Sequence, residues 1–135
     1  MHYCRFTTDS SDRSFLGRVD RENETVVPLE TNESSLDAAL RRGRSVDDTP
    51  TTGETYDLTD VTLCSPIQRP TNLIGIGLNY AGHAAEGGFD VPEEPVFFAK
   101  SPSSIADPGG EIVCHDLVTN LHYEGEIAVV VGDRL

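Results

Sequence analysis

The chain is short of lysine. Of its ten basic residues only Lys100 is a lysine, and twenty-three acidic residues bring the formal net charge to −13. Nucleic acid and anionic membrane are thereby excluded as partners, since both need a basic footprint. An acidic macromolecule is excluded on the same ground. Such a surface suits solvation in concentrated salt, where the Debye length shrinks to about 3 Å at 1 M, and the composition reads as halophilic in type. No apolar run approaches the roughly 18–20 residues that a membrane span needs. Residues 1–5 lack the apolar run of a signal peptide, so the expectation is a cytoplasmic protein. Three cysteines, Cys4, Cys64 and Cys114, are widely spaced and form no CxxC. Neither a disulfide framework nor a cysteine zinc site follows, and each reads as small buried or half-buried filler.

What remains is 135 residues, 37% of them hydrophobic, enough for one small domain and part of another. The pattern predicts a mainly β chain with short helices, in the α+β class. Strands are expected at Tyr3–Thr7, Ser14–Val19 and Thr25–Leu29, where β-branched and aromatic residues alternate between polar turns. A short helix follows, capped by Ser34 or Ser35, with Leu36, Ala39 and Leu40 as its stripe, Arg41 and Arg42 in its last turn, and Gly43 as its stop. After a polar loop over 44–57, residues 57–65 return to strand-like alternation. Pro66 and Pro70 bracket a boundary, giving a β-rich domain over 1–65 and a second region over 66–135.

In that second region strands are predicted at 72–77, 95–100, 110–114 and 121–131, with a helix over 79–87. Residues Ile127–Val131 are apolar on both faces, a pattern that is usually covered on both sides. Few covering layers precede it, and the expectation is a chain truncated within its second domain.

Four features can carry chemistry. Glu124-Gly125-Glu126 on a strand projects two carboxylates from one face. Like charges that close call for a proton or a hard cation, and oxygen ligands suit Mg²⁺, Mn²⁺ or Ca²⁺. His122 lies on the same face and can support such a site from behind. The competing reading is a solvated polar stripe. His83 and Glu86 share a helix face at i, i+3, so the carboxylate can fix the imidazole's tautomer; the plainer reading is a surface pair. Gly75-x-Gly77 with Gly82 departs from the dinucleotide spacing GxGxxG, and the glycines read as close-approach positions. Lys100 ends a strand and can bind a carboxylate, or it is a surface lysine.

Taken in order, Gly77-Leu78-Asn79-Tyr80-Ala81-Gly82-His83-Ala84-Ala85-Glu86, Pro95-Val96-Phe97-Phe98-Ala99-Lys100-Ser101-Pro102-Ser103-Ser104 and His122-Tyr123-Glu124-Gly125-Glu126-Ile127-Ala128-Val129-Val130-Val131-Gly132 resemble three ordered motifs of the fumarylacetoacetate hydrolase family. The resemblance covers about residues 66–135. It implies the first part of that family's mixed β-roll. It implies Glu124 and Glu126 as ligands of Mg²⁺ or Mn²⁺, His83 and Glu86 as the catalytic dyad, and Lys100, Asn79 and Tyr80 as substrate-binding residues. The implied substrates are 2-oxo or 2-enol carboxylates. The implied reactions are C–C hydrolysis, decarboxylation or enol–keto isomerisation in aromatic catabolism, performed by a homodimer. The chain departs from the pattern at His122, where aspartate is frequent, and in lacking the family's third, aspartate ligand, because Asp133 is too close to the pair. The alternative is an inactive fragment or an acidic cation-binding module.

Overall fold

The structure, a computed structural model, describes residues 1–132; Asp133 lies outside the described residues. The protein is mostly strand with a few short helices. Five antiparallel strands form the first sheet: β1 (His2–Thr8), β2 (Ser11–Asp20), β3 (Thr25–Pro28), β4 (Tyr56–Asp57) and β5 (Val61–Cys64), in the order β4-β3-β2-β1-β5. Residues 57–65, expected as one strand, are interrupted by a 3₁₀ turn over Leu58–Asp60. The strand before the turn pairs with β3 and the strand after it pairs with β1. A three-residue turn thus joins the two edges of the sheet, which is met only by a sheet curled into a half-barrel.

The two faces of the sheet are packed differently. On one, Phe6 and Val26 are fully buried, and the Phe6 ring lies 5.7 Å from Phe15 and 6.0 Å from Tyr56. They close over Gly17, where an added Cβ would meet the Val26 side chain and come within 2.7 Å of Phe6 Cε1; only a glycine lets these side chains approach. On the other face Leu16, Leu29 and Ala39 form a cluster, with Tyr3 and Val46 against it. Helix α1 (Leu36–Arg41) supplies Ala39 to that cluster.

Ser35 is the N-cap of α1 but makes no side-chain cap bond. The Leu36 N–H instead donates to the Pro66 carbonyl at 2.9 Å. The buried carboxylates Asp37 and Glu33 pair with Arg41 at 2.9 Å and Arg42 at 3.0 Å. Gly43, at φ 65°, ends the helix as its sequence position implies.

The contacts divide the chain into two compact units. One contains Met1–Gln68 and the segment from Ala106 on; the other is Arg69–Ile105. In the latter, β6 (Leu73–Gly77), α2 (Ala81–Glu86) and β7 (Val96–Lys100) follow in order, β6 and β7 pairing antiparallel with Gly75 opposite Phe98. The Phe98 ring occupies the space above Gly75, with Phe98 Cε1 at 2.7 Å from the position of a Cβ there. Ala84 is the only residue of 69–105 that is buried.

Two expected strands are not formed. Residues 110–114 and 121–131 carry no regular secondary structure and are exposed throughout. Ile127 is 85% exposed and Val129 84%. A strand is held by its ladder and by the layers over its faces, and among the described residues no strand pairs with either segment. High β-propensity alone does not order such a segment.

Candidate functional site

The loop between β6 and α2 positions the first group of residues. Leu78 leaves β6 with φ 53°, a left-handed conformation that a branched apolar residue seldom adopts. Nothing in the residue type announces it; only its place between Gly77 and Asn79 does. Asn79 and Tyr80 follow, both exposed, with Tyr80 as the N-cap of α2. His83 and Glu86 then lie three apart on α2, both exposed, while Ala84 faces inward. The i, i+3 spacing puts the imidazole and the carboxylate on neighbouring positions of one helix face.

Lys100 is the last residue of β7, opposite Leu73. Its ammonium sits 5.7 Å from the centroid of the Phe98 ring, within reach of a cation–π attraction. The chain after it is tied into a 3₁₀ turn over Pro102–Ser104. There the Ser101 hydroxyl lies 2.7 Å from that of Ser103 and accepts from the Ser103 N–H at 3.3 Å, while the Ser104 hydroxyl donates to the Ser101 carbonyl at 2.7 Å. The strand end that carries the lysine is thus held by short local bonds.

His122, Glu124 and Glu126 belong to the other compact unit, on the exposed segment without secondary structure. The shared face expected of these three residues requires a strand, and residues 121–131 are not one. Among the described residues no group of three or more histidine, cysteine, aspartate or glutamate side chains could hold a metal ion. Glu124 and Glu126 carry the oxygen donors that hard divalent ions take, and Mg²⁺ is commonly held by one or two carboxylates with water completing its shell.

The thiols differ in environment. Burial pushes the Cys4 thiol up to about 11, with neighbouring Cys64 adding to the effect. Cys64 is buried and Cys114 exposed, and all three are free. No helix among the described residues is long and apolar enough to cross a membrane.

Comparison with known proteins matches residues 72–135 to the model of the fumarylacetoacetate (FAA) hydrolase C-terminal domain and residues 1–66 to that of an Rv2993c-like N-terminal domain. Over 81 residues the chain is 47% identical to oxaloacetate tautomerase YisK of Bacillus subtilis, covering 57% of this chain and 27% of that protein. Over 75 residues it is 37% identical to the human mitochondrial oxaloacetate tautomerase FAHD2A, covering 56% and 24%. The chain thus spans about a quarter of the length of these two relatives. A solved structure of an uncharacterised protein from Mycobacterium abscessus superposes with a TM-score of 0.51 at 26% identity, over 77% of this chain and 34% of that one. Family members are enzymes that act on small molecules and are generally dependent on a divalent metal. With both of its halves matched in order and its fold shared, the chain belongs to the fumarylacetoacetate hydrolase family.

Proposed function

We propose that this chain supplies acid–base and substrate-holding groups to an enzyme that interconverts the enol and keto forms of a small 2-oxo carboxylate. The observation that carries the reading is the ordered set Asn79, Tyr80, His83, Glu86, Lys100, Glu124 and Glu126 in a chain 47% identical over 81 residues to an oxaloacetate tautomerase. The reaction moves one proton between C3 and the oxygen on C2. Removal of the C3 proton sends its electron pair into the C2–C3 bond and the carbonyl pair onto oxygen; reprotonation at oxygen gives the enol.

His83 is the group suited to take and return that proton, because histidine is the side chain most often used as a general acid and base. Glu86, on the same helix face, would stabilise the imidazolium formed when His83 is protonated. Lys100 would pair with the substrate carboxylate, with Asn79 and Tyr80 contributing polar contacts from the loop before α2. C–C hydrolysis and decarboxylation of related substrates pass through the same enolate and remain within the reading. Glu124 and Glu126, backed by His122, are our candidates for carboxylate ligands of Mg²⁺ or Mn²⁺, with Ca²⁺ the third oxygen-preferring ion.

The test is a chimera in which residues 72–135, the part matched to the family's C-terminal domain, replace their counterpart in the Bacillus subtilis tautomerase. It is expected to convert enol-oxaloacetate at a rate within about tenfold of the parent. A chimera that melts like its parent and shows no conversion overturns the reading. The lack of a three-ligand group among the described residues favours a second reading, a non-catalytic module that binds cations loosely. Calorimetry of the 135-residue chain decides on that one: tight 1:1 Mn²⁺ binding, abolished by Glu124→Ala, would count against it.

A further inference from the structure

Residues that the proposed chemistry does not use bring together the two stems of the segment 69–105. The Ser65 N–H donates to the Asp107 carboxylate at 2.6 Å across a sequence separation of 42. The Arg5 guanidinium lies against the same pair. Its Nη1 is 3.3 Å from the Ser65 carbonyl, to which it donates, and 3.8 Å from Asp107 Oδ1. Arg5 is itself held in place, its Nε donating to the Ser34 carbonyl at 2.9 Å and to the Ser14 hydroxyl at 3.1 Å. Its side chain is 12% exposed, against 59% for Asp107. Two further bonds anchor the upstream stem: Leu36 N–H to the Pro66 carbonyl and Gln68 N–H to Asp37 Oδ1, each at 2.9 Å.

We infer that Asp107 is a clasp residue, which with Arg5 pins both ends of the 69–105 segment to the N-terminal sheet. The upstream stem has three anchors, and Asp107 joins the downstream stem to them. Its bond to Ser65 is charge-assisted and short, of the stronger kind; its ion pair with Arg5 is long and half exposed and adds little. The clasp closes a loop between residues 65 and 107. Its bearing on catalysis rests on the function proposed above; its existence does not.

The experiment is hydrogen exchange of the 135-residue chain, compared with Asp107→Ala and Asp107→Asn. In Asp107→Ala the Ser65 amide is expected to exchange about tenfold faster or more, with faster exchange also at Ile67 and Gln68, while the amides that pair β2 with β3 are unchanged. Asp107→Asn, which keeps an acceptor, is expected to lie between Asp107→Ala and the parent. Unchanged exchange at Ser65 in Asp107→Ala overturns the inference. So does loss of protection through β2 and β3 in both variants, since the carboxylate would then hold the whole fold and not the clasp. Because no turnover is read, failure of the proposed function leaves this result standing, and the reverse also holds.

Discussion

The N-terminal sheet and the stretch from 69 to 132 carry similar kinds of apolar residue and treat them in opposite ways. The sheet buries Phe6, Leu16, Val26 and Leu29 to 4% exposure or less. In the β6–β7 pair, Ile74, Ile76 and Phe97 are 45–64% exposed, and Ile127 and Val129 more so. A strand whose apolar side chains face water gains little from forming, since most of its stability lies in what covers it. The residues proposed for the site therefore sit where this chain's own core is poorest. The well-packed sheet carries none of them.

Substitution can sharpen that contrast. Phe6→Ala is expected to cost about 3–5 kcal/mol, enough to unfold a small domain, whereas Phe97→Ala should change stability by no more than about 0.5 kcal/mol. Urea denaturation of the chain measures both, and equal costs would break the comparison. Gly17→Ala is expected to destabilise by about 1–3 kcal/mol through overpacking against Phe6 and Val26. Gly77→Ala, whose added Cβ would have Val96 Cγ1 no nearer than 3.7 Å, should cost well under that.

The thiols give a milder contrast. With its thiol raised to about 11, Cys4 is only about one part in a thousand thiolate at pH 8. Alkylation followed by mass spectrometry should label exposed Cys114 before Cys4. The smallest effect concerns Asp20, the last residue of β2 before the turn to β3. The Asn23 side-chain amide, at 2.8 Å, and the backbone N–H groups of Asn23 and Glu22 hold its carboxyl below the usual range. A lowered folded-state value stabilises the fold above the unfolded value of about 3.9. That contribution is lost as pH falls through the folded value. Asp20→Asn should therefore lower the melting temperature slightly at pH 7 and converge with the parent in acid.

Much of this was legible in advance. The alternation at Tyr3–Thr7, Ser14–Val19 and Thr25–Leu29 anticipates β1, β2 and β3, and Gly43 marks the end of α1. Residues 72–77, 79–87 and 95–100 were equally readable, as β6, α2 and β7. In these segments local pattern and tertiary partner agree. The alternation over 57–65 concealed the 3₁₀ turn, because a strand's side-chain pattern does not say which edge of a sheet it joins. Residues 121–131 show the converse failure, a strong β pattern whose pairing partner is not among the described residues. Of the candidate site, residue type and spacing single out the motif residues. The bend at Leu78 and the anchoring of Asp107 depend on backbone geometry and long-range contact, which no local pattern reports.

The central claim is that His83 moves the proton. Its most direct measurement is the rate of enol-oxaloacetate conversion by the chimera with and without His83→Ala. The expected loss is about 10²–10⁴-fold, the usual worth of a positioned acid–base group, with the melting temperature unchanged. A His83→Ala chimera that keeps the full rate would contradict the account.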